Sequence, residues 1–211
     1  MKKIIFIVSA IVLLTTGQLM AQSDDRRENL ELGIKAGVNL SNIWDDASSD
    51  FQYDSKVGGV FGAFIGIPMG KMLGIQPEVL ISQKGFQGSG TLLSVPYSFS
   101  RTTTFLDIPL QLQLKPTEFF TVLVGPQYSY LIKQKDNYTF GSNSTDQEQE
   151  FKNENIRKNI LGAVLGADFI YENIVISARV SWDLQTNKGD GTSTTPRYKN
   201  QLAQLTVGIK L

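Results

Sequence analysis

Thr104-Phe105-Leu106-Asp107-Ile108-Pro109-Leu110-Gln111-Leu112-Gln113-Leu114-Lys115-Pro116-Thr117-Glu118, continued by Phe119 to Ile132, is the stretch that decides the fold. Taken two residues at a time, Thr104, Leu106, Ile108, Leu110, Leu112 and Leu114 fall on one face. Asp107, Gln111, Gln113 and Lys115 fall on the other, with Phe105 and Pro109 as apolar exceptions. That is the period of a strand. After the turn Lys115 to Glu118 the pattern resumes as Phe120, Val122, Val124, Pro126, Tyr128, Tyr130 and Ile132, opposed by Thr121, Gly125, Gln127 and Ser129. Two long strands on a tight connection make a hairpin. Each run supplies the roughly 9 to 11 residues a tilted strand needs to cross a bilayer.

Outward from this hairpin the design repeats. Strand-like runs are expected over 30–40, 57–67, 73–83, 160–171, 174–184 and about 201–211, eight in all with the central pair. Connections alternate: long at 41–54, 85–103, 133–157 and 185–199, short at 68–72, 115–118 and 172–173. Bacterial outer-membrane barrels have that asymmetry, with short periplasmic turns and long outer loops. The strand-forming residues of 85–103 are able to extend either neighbour beyond the membrane.

The start of the chain supplies an address. Lys2 and Lys3, the 11-residue apolar run Ile4 to Leu14 and the ending Leu19-Met20-Ala21 read as a secretory signal over 1–21. The run is too short for a spanning helix, which needs about 20 residues. Residues 22–29 then form a short periplasmic segment, and 30–211 the barrel. With no cysteine, disulfides and thiolate metal sites are excluded. Without Lys2 and Lys3, 18 basic residues face 20 acidic ones, a balance that argues against a nucleic-acid partner.

Alternation alone does not say which face points inward. A soluble lipocalin-like periplasmic carrier would turn the apolar faces in; a membrane barrel turns them out to lipid. Three observations favour the second: near-unbroken apolar faces on all eight runs, Tyr128, Tyr130, Tyr171 and Trp182 near strand ends where an aromatic girdle belongs, and the connection asymmetry. The expected fold is therefore all-β, an eight-stranded antiparallel up-and-down transmembrane barrel with a filled polar lumen.

Several segments are similar to the PorT-like outer-membrane β-barrel family of Bacteroidetes-type bacteria. Gly33 to Asn42 resembles that family's opening strand, and Gln76-Pro77-Glu78-Val79-Leu80 with Ser82-Gln83-Lys84-Gly85 its third. Phe105 to Leu110 and Val124 to Tyr128 resemble the fourth and fifth. The resemblance spans essentially the whole mature chain and implies a small outer-membrane barrel, most members of which have no assigned role. The eponymous member takes part in protein secretion, a role this resemblance does not transfer. Leu211 departs from the aromatic residue often found at the end of such barrels.

The chemistry available is narrow. With no histidine, Ser-His triads and His metal sites are excluded. The carboxylate pairs Asp168 with Asp183 and Glu78 with Asp107 retain the chemistry for acid/base work. A structural reading serves them better, since carboxylates in a narrow lumen need neutralising partners. The expected lumen network is Lys35, Glu78, Asp107, Asp168, Arg179 and Asp183. Counted from the short turns, Lys35, Glu78 and Arg179 share one height. Glu78 is expected to meet Arg179 across the lumen, with Asp107 or Asp168 sharing the arginine. Asp45, Asp46, Asp50 and Asp54 lack the spacing of an EF-hand loop.

No catalytic residues, metal or cofactor are expected. The expected role is structural or interactive: a monomer in outer-membrane lipid that offers loops 41–54, 85–103, 133–157 and 185–199 to an extracellular protein or glycan. Alternatives are a narrow pore, a secretion-accessory barrel, the lipocalin-like carrier and a barrel enzyme.

Overall fold

The computed structural model describes residues 26–44, 54–92, 95–140, 143–149, 157–187 and 198–211. The expected signal segment 1–21 and the acidic loop residues Asp45, Asp46 and Asp50 lie outside these. After a 3-10 turn at Arg26–Glu28 come β1 (Glu31–Trp44), β2 (Asp54–Pro68), β3 (Leu73–Leu92), β4 (Val95–Leu114), β5 (Phe120–Phe140), β6 (Asn143–Gln149), β7 (Asn159–Tyr171), β8 (Ile174–Asp183) and β9 (Lys199–Lys210). All pairings are antiparallel. The order β4-β3-β2-β1-β9-β8-β7-β5 closes on itself through β4–β5, so eight strands form a ring.

Two of the expected long loops are corrected. Residues 85–103 are mostly strand: β3 and β4 stay paired from Leu73↔Leu114 to Leu92↔Val95. Residues 133–157 contain the end of β5 and all of β6, which pairs with β5 from Gln134↔Gln149 to Phe140↔Asn143. The physical reason is that the polar residues here alternate as strand residues do, and a hairpin satisfies its own backbone hydrogen bonds without an apolar face. β3, β4 and β5 run 20, 20 and 21 residues, about twice the 9 to 11 a bilayer requires. About ten residues of each therefore continue past the apolar band, and with β6 they make a four-stranded sheet beyond it.

Side chains sort by parity. Along β8, Ile174, Ile176, Val180 and Trp182 are exposed, while Val175, Ser177, Arg179, Ser181 and Asp183 are buried. The same holds for Leu205, Val207 and Ile209 against Asn200, Leu202, Gln204 and Thr206 on β9. An apolar belt of this breadth on a soluble monomer would be an exposed patch far beyond the usual few hundred Å2; in a membrane it is the lipid contact. Tyr128, Tyr130, Trp44 and Trp182 stand toward the long-loop end of the belt, and Phe119, Phe169 and Tyr171 beside the short turns.

The lumen also holds apolar side chains: Phe64, Leu80, Leu123, Val164 and Leu202 are all buried. Phe105, one of the exceptions in the deciding stretch, packs inward with Leu131 and Ile160. A register shift between Thr104 and Phe105 re-aims the ladder there. Close packing of strands depends on glycine at a few points. A Cβ on Gly125 would overlap the Leu110 carbonyl oxygen, whereas one on Gly59 would meet nothing nearer than Gln83 Oε1 at 3.8 Å. Gly125→Val is expected to abolish the fast-migrating unboiled gel band of a closed barrel, and Gly59→Ala to leave it in place. Equal behaviour of the two variants would contradict this packing.

Candidate functional site: the charged lumen and the outer sheet

The lumen charges assemble where glycine makes room. Lys35 on β1 has Gly62 and Gly208 as its register partners on the two neighbouring strands, so its side chain crosses the ring unobstructed. Arg179 on β8 faces Gly166 on β7, where a Cβ would overlap the arginine's Cδ. Lys35 Nζ lies 2.5 Å from Glu78 Oε2. Arg179 reaches Asp168 Oδ1 at 2.6 Å and Glu78 Oε1 at 3.6 Å. Gln76 Nε2 donates to Glu78 at 2.7 Å, and Gln113 Nε2 donates to Gln76 at 2.6 Å. Two cations and two carboxylates balance, all of them buried. Burying charge is costly unless each charge is paired. Here every charge faces an opposite one, and Arg179 Nη1 also donates to the Ala167 and Ala178 carbonyls. Lys35 Nζ, Arg179 Nε and Arg179 Nη2 make no aligned hydrogen bond among the described residues.

Two of the expected network residues sit elsewhere. Asp107 is placed higher, with Lys84 Nζ at 3.1 Å, and Lys84 also donates to Ser129 Oγ at 3.2 Å. The Lys84 ammonium stands 4.7 Å from the centre of the Phe105 ring. Asp183 accepts from Asn200 Nδ2 at 2.6 Å and from the Asn200 backbone amide at 3.2 Å. Between these levels Gln204 Nε2 donates to Asn39 Oδ1 at 3.0 Å, and Asn39 Nδ2 donates to Ser82 Oγ at 3.0 Å.

Above the membrane level is a third charged layer. Arg101 forks onto Asp136 at 2.8 and 2.7 Å, the bidentate geometry that suits guanidinium and carboxylate. Its guanidinium lies 5.6 Å from the Phe99 ring centre and 5.9 Å from that of Phe86. Tyr198 packs edge-on to Phe86 at 5.1 Å and is itself buried, which pushes its phenol pKa up. It is pinned by its amide, which donates to Asn187 Oδ1 at 3.0 Å. Lys84, Arg101 and Asp136 were not among the expected residues. The signal for Lys84 and Arg101 was the unbroken inward parity 78, 80, 82, 84, 86 on β3 and 107, 105, 103, 101 on β4. Asp136 had none, because the inward parity of β5 changes between Leu131 and Gln134.

At the short-turn end, Glu31 takes Lys210 at 2.5 Å and Lys115 at 3.7 Å. Burial pulls the Lys115 ammonium below its usual pKa, against the opposing charge of Glu31. These residues, with Arg26 and Arg27, line a cup of about 250 Å3. Inside the ring, a void of about 10 Å3 bordered by Glu78, Gln111, Gln127, Arg179, Ser181 and Gln204 has room for about one water. Such a lumen is a packed core, as an eight-stranded ring permits. The carboxylate pairs considered for acid/base work are not formed: Glu78 and Asp168 share Arg179, and Asp107 sits on Lys84. Among the described residues no group of three metal-binding side chains occurs.

A family model described as "Outer membrane protein beta-barrel domain" matches residues 20–188. Among solved structures, Ail of Yersinia pestis is similar at 14% identity over 86% of this chain and 98% of that one, with a TM-score of 0.46. OprG of Pseudomonas aeruginosa follows at 12% over 88% and 97%, with a TM-score of 0.46. Neisserial surface protein A stands at 11% over 86% and 97%, with a TM-score of 0.45. No protein of curated function matches the chain.

Removing Arg179 leaves Glu78 and Asp168 with Lys35 as the remaining cation of the layer. Arg179→Ala is expected to lower the unfolding free energy in a urea titration by about 3–5 kcal/mol. A loss under about 1 kcal/mol, the size of an exposed pair, would refute the buried network. In planar bilayers the wild-type protein is expected to give no unitary conductance steps; steps that scale with salt would contradict a sealed lumen.

Proposed function

The chain belongs to the outer membrane protein beta-barrel domain family, and from that premise we propose that it is an interaction protein: a sealed stem that carries a sheet out of the membrane to a partner. The protein resides in the bacterial outer membrane. With short turns on the periplasmic side, the long ends of β3, β4 and β5 and the whole of β6 stand outside the cell. The observation that carries this reading is their length, about ten residues per strand beyond what a bilayer needs. A stem serving only as membrane filler has no use for them.

The occupant we propose is an extracellular protein or glycan. Among the described residues, β6 pairs with β5 alone, which leaves one strand edge of the sheet for main-chain pairing with a partner. A transport role is disfavoured by the packed lumen, and an enzymatic one by the pairing of its carboxylates with cations. Within the family we place the chain with the PorT-like barrels of Bacteroidetes-type bacteria on the segments Gly33 to Asn42 and Gln76 to Gly85. We assign residues 1–21 as a cleaved secretory signal, 22–29 as a periplasmic segment and the remainder as a monomeric barrel. A link to protein secretion does not follow from any of these features.

The test removes the platform and keeps the stem. Replacing 87–100 and 136–147 by two-residue turns is expected to preserve the heat-modifiable gel band. It is expected to abolish crosslinks from a photoreactive residue at the exposed position 135 in living cells. Crosslinks unchanged by the deletion, or none from the wild type, would overturn an interaction role for the sheet.

A further inference from the structure

The outward face of β4 changes chemistry at one height. Leu106, Ile108, Leu110, Leu112 and Leu114 line the lipid belt, and directly beyond them the same face continues as Thr104, Thr102, Ser100 and Ser98. Lys56 on β2 reaches past β3 and donates to Ser100 Oγ at 2.6 Å and Thr102 Oγ1 at 2.5 Å on β4. From the opposite side, Lys135 on β5 is the register partner of Thr102, and Lys133 that of Thr104. Lys158 adjoins them, its carbonyl accepting from the Leu131 amide at 2.8 Å. Lysine ammoniums therefore flank a hydroxyl ladder at the outer edge of the apolar belt, where lipid headgroups lie.

Lys56 is partly buried, its hydrogen-bond partners are hydroxyls, and the carboxylate whose charge acts on it, Asp136, is already held by Arg101. Lys135 has Glu148 as its β6 register partner, and Asp54 is exposed at the end of β2. The outward residues of the belt below carry no charge. Lysines held near one another around hydroxyl donors make a site for an anion. The belt below fixes what else the ligand must have: acyl chains that lie on Leu106 to Leu114. We propose that Lys56, Lys133 and Lys135, with Ser100, Thr102 and Thr104, bind the anionic headgroup of a lipid in the outer leaflet.

The test uses the full mature chain in nanodiscs of phosphatidylcholine doped with phosphatidylglycerol, with retained lipids counted by native mass spectrometry. Wild-type protein is expected to retain phosphatidylglycerol in preference to phosphatidylcholine. The triple variant Lys56→Gln, Lys133→Gln, Lys135→Gln is expected to lose that preference, at about fivefold per lysine and so roughly a hundredfold in all. A Lys71→Gln variant at the opposite end serves as the control and is expected to match wild type, with unboiled gel mobility verifying that every variant is folded. Equal preference in the wild type and the triple variant would overturn the site. Displacement of the lipid by inorganic phosphate at millimolar concentration would also overturn it, because it would mark a site for a soluble anion.

Discussion

A backbone in hydrocarbon has no water to bond, so each amide and carbonyl must find a partner in the protein. Every other feature of this barrel follows from that constraint. It requires the ring to close, which the β4–β5 pairing does. Closure with antiparallel neighbours then imposes a two-residue period on every strand, because alternate side chains face lipid and lumen. A single-residue slip of any strand would exchange its leucines and isoleucines for its glutamines and charges. Register is thus specified from both sides of the wall.

The lumen is where the sequence had freedom, and it used charge together with glycine. A ring of eight strands leaves width for packed side chains and little more. Lys35 and Arg179 occupy that width because their register partners on neighbouring strands, Gly62, Gly208 and Gly166, have no side chains to compete. Glu78 takes both cations at once, and Asp168 completes the balance. Higher up, Lys84 with Asp107 and Arg101 with Asp136 repeat the arrangement at wider spacing. Such buried pairs add little net stability when intact and cost several kcal/mol when broken. They act as pins of register and as a seal.

The membrane part of the fold was legible because alternation over Leu106 to Leu114 or Ile174 to Trp182 contrasts apolar with polar at each step. Shared height above the short turns was enough to bring Glu78 and Arg179 together on paper. The outer sheet was harder to read. In Lys133 to Gln149 both faces are polar, so strand and loop carry the same composition, and only hairpin pairing distinguishes them. Lys84 escaped notice because it follows Gln83, where the apolar contrast fades, although its parity is that of Glu78. The partners of Asp107 and Asp183, Lys84 and Asn200, stand on the adjacent strands β3 and β9, and choosing them over a partner across the lumen depends on strand register, which alternation does not encode. Phe105 itself looked like a flaw in the polar face and turned out to pack a lumen cluster with Leu131 and Ile160.

The chain contains no cysteine, so a spin label can be placed at single positions without background. Labels at residues 174, 176, 178, 180 and 182 of β8, with the protein in phospholipid bilayers, would report what the apolar faces touch. If these faces contact hydrocarbon, accessibility to oxygen will exceed that to a water-soluble nickel complex, with the difference greatest near Ala178 and falling toward both ends. Greater accessibility to the nickel complex along the whole series would contradict the account, and would mean that these faces do not meet lipid.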